Sequence, residues 1–209
     1  MNIRIGKISS IVTLVSVLAF ALSMIIGFFV DTLFISCFSS MFIALGFLPF
    51  MVSIFATNKD EDKKVVGLSG LLFGAIYVVI IFIVYYAQCT TINLNNSLSE
   101  ETLSIISYAH IGSLFFNYDL LGYAFMALST FLIGFTVVPK KKGDLAFKRL
   151  LLIHGIFFLS CLFIPMFPIF NPANESTVPG TFLLEFWCLY FTPICILGYR
   201  YFKNQENVN

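Results

Sequence analysis

Charge is what this sequence has least of. Only 11% of its 209 residues are Asp, Glu, Lys or Arg, while 59% are hydrophobic. Soluble domains carry roughly 25% charged residues, and the mean hydropathy here is +0.94. An ordinary soluble domain is excluded, because 26 phenylalanines could not all be hidden from water in a fold of this size. The net charge of +1 offers nothing to a polyanion. The basic residues do not interleave with aromatics along one face, so nucleic acid is not an expected partner. Catalytic and metal-binding signatures are missing as well. No HExxH, CxxC, GxSxG or P-loop pattern occurs, and Cys37, Cys89, Cys161, Cys188 and Cys195 are scattered singly. Metal sites need several ligands at close spacing, so no metal and no cofactor is expected.

What the chain has instead is long apolar runs. Six can be marked, at about 8–30, 33–56, 65–88, 118–138, 147–167 and 181–201. Each suffices to cross a ~30 Å hydrocarbon core with about 20 helical residues. Transmembrane β-strands would alternate over ~10 residues, whereas these runs are continuously apolar. The sequence therefore predicts an all-α, polytopic integral membrane bundle of six transmembrane helices, forming a single domain in the lipid bilayer. Arg4, Lys7 and the "AFA" at 19–21 resemble a signal peptide with its cleavage site. The run continues to Val30, however, which predicts a retained first span.

Basic residues are absent from two of the five connections. The segments 89–117 and 168–180 contain no Lys or Arg, and all twelve basic residues fall on the other side of the six runs. The positive-inside rule then places both termini in the cytoplasm of a cell-membrane protein. Asp31 and Thr32 alone separate the first two runs, which implies a tight hairpin. In the long third connection, Ser97 precedes Glu100 at capping-box spacing. Leu98, Thr102, Ile105, Ile106 and Ala109 follow at helical spacing, which predicts a short amphipathic helix at the outer membrane surface; a structured loop packed on the helix ends is the alternative.

Small residues recur where helices could approach closely. Ala19, Ser23 and Gly27 lie four apart in the first span, Ser36, Ser40 and Ala44 in the second, and Gly70 and Gly74 in the third. Two readings stand: packing within the chain, or a docking face for a partner subunit. Pro49, Pro165 and Pro193 lie in or near spans and are expected to kink them.

Few ionisable residues interrupt the spans. Glu185, in "TFLLEFWCLYFTP", sits about a turn and a half below the outer boundary, where a lipid-facing carboxylate would cost a few kcal/mol. Asp31, Asp119 and Gln88 lie near the same boundary, with Tyr85, Tyr86, Tyr118, Tyr123 and Trp187 at similar depth. One reading gathers Glu185, Asp119, Tyr123, Trp187 and Gln88 around an outward-facing cavity for a cation or small polar molecule, with Glu185 as its floor. The other makes the aromatics an interfacial belt and the aspartates helix caps. His154, in the inner third, is a candidate proton-linked residue, although roughly 15 Å separates it in depth from Glu185. A neutral histidine bonded to a neighbouring helix is the simpler reading. Cys37 and Cys89 both lie near the outer face, where a disulfide is conceivable.

The stretch "SLFFNYDLLGYAFMALST", with "RLLLIHGIFFLSCLF" after a basic loop, resembles small multispan microbial membrane proteins of unassigned function. That resemblance implies a compact bundle without known cofactors. Size, span count and termini also resemble the substrate-capturing components of energy-coupling-factor vitamin transporters. Those carry an Ala-xxx-Ala docking face in the first helix, where this chain has Ala19 and Ser23. Three functions remain in view: a small-solute binding or transport component, a non-catalytic accessory or self-immunity protein, and an interfacial hydrolase using Glu185 with Asp119 or His110.

Overall fold

The computed structural model describes residues 1–95, 97–167 and 178–206. Among them the chain is all-helical, with six helical segments long and apolar enough to cross a membrane. They are α1 (Asn2–Ile26), α2 (Leu33–Phe55), α3 (Lys64–Ala87), α5 (Leu114–Thr136), a two-part span made of α6 (Lys142–His154) and α7 (Ile156–Phe163), and α8 (Val178–Glu206). A seven-residue helix, α4 (Glu100–Ile106), lies in the third connection.

The spans pack as a closed ring in chain order: α1 on α2, α2 on α3, α3 on α5, α5 on α6 and α7, α6 on α8, and α8 back on α1. Sequence explains which face of each helix turns inward. The large apolar residues of α1, Ile8, Ile11, Val15, Leu18 and Leu22, point outward, while Ser9, Ser10, Thr13, Ser16 and Ser23 are buried. Buried hydroxyls survive there because each bonds a carbonyl three or four residues back, as Thr13 Oγ1 does to Ser9 O at 2.8 Å. Val17 and Phe20 also turn inward, but a helix with most of its big apolar side chains outside and its small polar ones inside is built for lipid rather than water. The protein is a multi-pass membrane protein.

The small residues lie in the seams between helices. Ser23 Oγ meets Ser36 Oγ at 2.8 Å, and a Cβ on Gly27 would run into Thr32 Oγ1. Gly70 and Gly74 face Ile133 and Ser129 of α5. Ala19 is half-buried.

One end of the bundle gathers the basic connections and is cross-tied. Lys7 Nζ pairs with Glu206 at 2.8 Å, Lys141 Nζ donates to Asn204 Oδ1, and Asn204 Nδ2 donates to Asp144 Oδ1. Asp144 Oδ2 also accepts from the backbone N–H groups of Lys140 and Lys141. That capping carries α6 back to Lys142, well before the apolar run at 147.

Other boundaries also moved. The first helix stops at Ile26, so six residues rather than two turn the chain into α2. Phe28, Phe29 and Val30 extend the apolar run but not the helix, and Phe29 is 84% exposed. Thr32 Oγ1 anchors the turn by donating to Ser23 O at 2.7 Å. The fifth span, expected as one helix over 147–167, breaks at Gly155, where a Cβ would collide with Phe131. Pro165 lies beyond α7, whereas Pro49 and Pro193 lie inside α2 and α8. Ser97 is not the cap of α4. Its N–H and hydroxyl both bond Asn95 Oδ1, and the cap passes to Ser99, whose Oγ accepts from Thr102 N. The fifth connection, 168–177, lies outside the described residues.

Candidate functional site

The nominated polar residues do not share one place; the polar features of the bundle are a histidine network, a second buried layer and a pocket. Deepest is His154, at the end of α6 and 1% exposed. Trp187 of α8 donates its indole N–H to His154 Nε2 at 3.0 Å. The other ring nitrogen, Nδ1, is 2.7 Å from Thr130 Oγ1 of α5. An indole N–H only donates, so Nε2 carries no proton. Thr130 spends its own proton on Ala127 O, so Oγ1 accepts from Nδ1–H. The tautomer is thereby determined, and every partner of the ring is a neutral group. Trp187 is not an interfacial belt residue; it is buried, stacked on Phe191 at 5.1 Å and edge-on to Tyr123 at 5.1 Å.

Nearer the lysine-free end lies a second buried layer. Asp119 and Tyr123 of α5 face Tyr85 and Tyr77 of α3, all four almost wholly buried. The Tyr85 hydroxyl lies within hydrogen-bonding reach of both the Asp119 carboxyl and the Tyr123 hydroxyl. Yet Asp119 Oδ1 and the hydroxyls of Tyr77, Tyr85 and Tyr123 make no hydrogen bond of acceptable geometry. The rings pack directly, Tyr77 on Tyr123 at 5.8 Å and Tyr85 on Tyr108 at 5.4 Å.

The third group is a pocket of about 240 Å³ at the lysine-free end. Its walls come from the α1–α2 turn (Gly27, Phe28, Asp31, Thr32), Ser36 of α2, the third connection (Tyr108, Ile111), Phe116, and the head of α8 (Thr181, Leu184). Among the described residues Asp31 is its one carboxylate, and no basic side chain lines it. Burial pushes the Tyr108 hydroxyl well above its usual range.

The expected constellation is therefore not one site. None of Glu185, Asp119, Tyr123, Trp187 and Gln88 lines this pocket. Leu184 does, and successive helical residues are turned by about 100°, which takes the half-buried Glu185 off that wall. One Glu185 oxygen is buried without a partner among the described residues. Gln88 is a latch: its Nε2 donates to Ile106 O at 3.0 Å and its Oε1 accepts from Tyr108 N at 3.1 Å, holding the third connection over the end of α3. All five cysteines are free thiols, Cys37 and Cys89 included. No cluster of three metal-ligating side chains occurs among the described residues, and His110 is exposed at the surface.

Two residues of the buried layer went unnominated for the cavity although a signal existed. Tyr77 and Tyr85 are eight apart and share a face of α3, as Asp119 and Tyr123, four apart, share a face of α5. Compared with family models, curated proteins and solved structures, the chain matches none.

Proposed function

We propose that this chain is a cell-membrane protein with both termini in the cytoplasm, and that its outward-facing end captures a small organic cation. The observation that carries the reading is the pocket at the lysine-free end, which among the described residues has one carboxylate, three aromatic walls and no basic residue. Aromatic faces beside a carboxylate suit an ammonium group with an apolar body. The distribution of charge supports both parts of the proposal. All twelve basic residues lie at the opposite end, which the positive-inside rule assigns to the cytoplasm. Asp31, Glu100, Glu101, Asp119, Glu175 and Glu185 fall toward the pocket's end by sequence, so the approach to it is acidic and attracts cations.

On this reading α4 lies along the outer membrane surface and the Gln88 latch positions Tyr108 as a wall of the pocket. The resemblance to vitamin-capturing transport components agrees with capture from outside. In this chain Ser23 is spent on α2, so any partner subunit would dock elsewhere on α1.

The test is thermal stability of the purified protein against a panel of primary, tertiary and quaternary amines, each paired with a neutral isostere. A ligand of the native state raises apparent stability by mass action. The expected result is a shift with one class of amine, lost in Asp31→Asn and in Leu184→Trp, which fills the pocket. Equal shifts with the neutral isosteres, or none with any amine, would overturn the reading.

A further inference from the structure

The polar groups around the pocket decide which amine suits it. Among the described residues its polar side chains are Asp31, Thr32, Ser36, Tyr108 and Thr181. Thr32 Oγ1 donates to Ser23 O at 2.7 Å, and Ser36 Oγ donates to Thr32 O at 3.1 Å. Both protons are spent on holding the turn, so these oxygens can accept from a ligand but not donate to it. Thr181 is engaged as well. Asp31 differs. Its Oδ1 accepts from Leu33 N–H at 2.9 Å, which fixes the carboxyl on the turn. None of the three ion pairs among the described residues involves it. A wall with one unpaired carboxylate, committed hydroxyls and no basic or amide side chain matches a group rich in N–H. It offers no cation to a ligand's carboxylate or phosphate, and no second anion to a second ammonium.

The same turn lies at the level of lipid. Phe28, Phe29 and Val30 precede Asp31 and are 50%, 84% and 58% exposed, and Phe34 and Ile35, which follow it, are exposed too. So much uncovered apolar surface is unfavourable in water and costs nothing against acyl chains. A carboxylate set among such side chains marks the boundary where headgroups meet hydrocarbon. Phe28 belongs to both surfaces, lining the pocket while half of it faces outward. From α8, Gly180 also lines the pocket, and a Cβ there would meet nothing within 4 Å. The head of α8 therefore leaves room beside it.

Size narrows the ligand further. A volume of about 240 Å³ falls below the roughly 300–1,000 Å³ of pockets that enclose a drug-sized molecule. It can hold the head of an amphiphile but not the whole. We propose that the pocket takes the head of a single-chain amphiphilic monoamine, with the ammonium on Asp31, the first part of the chain against Phe28, Phe116 and Leu184, and the rest in the bilayer. The inference rests on the cation-capture reading above and narrows it to a substrate class: a membrane-dissolved molecule with one positive charge and no anionic group.

Trp187 makes binding observable, being the chain's single tryptophan and about one helical turn beyond Leu184 on α8. Its fluorescence is followed in protein reconstituted into phosphatidylcholine nanodiscs. The titrants are alkylamines of ten, twelve and fourteen carbons, each beside its alkanol, and hexylamine beside 1,6-diaminohexane. The expected result is a saturable change with the amines and none with the alkanols, lost in Asp31→Asn and in Gly180→Leu. The first variant keeps an oxygen for Leu33 N–H and the second meets no neighbour, so both test binding rather than folding. Expressed as mole fraction in the bilayer, half-saturation should agree within about twofold for the three long amines, because the added methylenes stay in lipid. The diamine should bind at least about tenfold more weakly than hexylamine, for want of a second carboxylate. Mole-fraction affinity that weakens about fourfold per added methylene, as for a chain expelled into water, would overturn the proposal. So would a diamine that binds as tightly as hexylamine. Either result leaves cation capture standing, since the response that depends on Asp31 remains. No such response to any amine overturns both.

Discussion

Replacing Trp187 by Phe removes one hydrogen atom that matters. Phenylalanine can keep the stack on Phe191 and the edge contact to Tyr123, but it cannot donate to His154 Nε2. The imidazole cannot repair the loss by changing tautomer, because that would leave Nε2–H without an acceptor and Nδ1 facing a threonine whose proton is already committed. A buried acceptor left unsatisfied costs about 1–3 kcal/mol. Hydrogen bonds between membrane helices run lower, averaging about 0.6 with a ceiling near 1.7 kcal/mol. His154 is 1% exposed and has no water-facing side, so the expected cost lies toward the ceiling, about 1.5 kcal/mol. Thr130→Val, which orphans Nδ1–H, should cost a similar amount.

The sharper expectation concerns the combination. Once Trp187→Phe and Thr130→Val have stripped both partners, His154→Phe removes the two orphaned nitrogens and should restore stability, since a fully apolar replacement of a polar set can be nearly neutral. In the wild-type background the same His154→Phe should destabilise. Unfolding by SDS titration in detergent micelles, followed by far-UV circular dichroism, measures all four. A Trp187→Phe variant within about 0.5 kcal/mol of wild type, together with additive combinations, would refute the assignment of the network.

Gly46→Ala should destabilise, because the new Cβ would sit 2.9 Å from the Thr13 backbone nitrogen, which cannot give way. Gly143→Ala in α6 meets nothing and should be neutral or stabilising by up to about 1 kcal/mol; thermal melts of the pair should move in opposite directions. Asp144→Ala removes the acceptor of two backbone amides and of Asn204, at a cost of about 2 kcal/mol, and hydrogen exchange at Lys140 and Lys141 should accelerate. Tyr108 is buried and neutral when folded, while the unfolded chain ionises it near pH 10. Its contribution is complete below that pH and should fall by up to about 1.4 kcal/mol per unit above it, so Tyr108→Phe should lose less stability than wild type on alkaline titration.

The six spans were legible because about 20 continuous apolar residues leave a helix few alternatives in lipid. Their ends were not, because apolarity marks the membrane and capping marks the helix. At 28–30 the apolar run outlasts α1, whose closing turn is set by Thr32 reaching back to Ser23. At 142–146 the helix outruns the apolar stretch because Asp144 caps it. The break at Gly155 looks in sequence like any other glycine in a packed span; that Phe131 of α5 occupies the space of its Cβ shows only in three dimensions. The same limit applies to the candidate site. Depth counting brought Asp119, Glu185 and Trp187 to one end, but depth says nothing of azimuth. Glu185 is turned off the pocket wall, Gln88 is spent on the third connection, and Trp187 on His154. The pocket walls at Asp31, Thr32 and Ser36 depend on a turn whose length the apolar run concealed.

The two buried layers are built from the same kinds of residue and end in opposite states, and the difference bears on mechanism. Around His154 each donor has one acceptor, so the layer is closed and its rearrangement costs whole hydrogen bonds. Around Asp119 the Tyr85 hydroxyl is in reach of both the carboxyl and Tyr123, but no contact there has strict hydrogen-bond geometry, so that layer is held by ring packing more than by directed bonds. Trp187 stands between them, its ring against Tyr123 and its N–H on His154. An indole can donate a hydrogen bond but cannot accept a proton and pass it on. Side chains among the described residues therefore provide no proton wire from the Asp119 layer to His154. That division makes the His154 network the more rigid of the two layers, because each of its hydrogen bonds must break before it can rearrange.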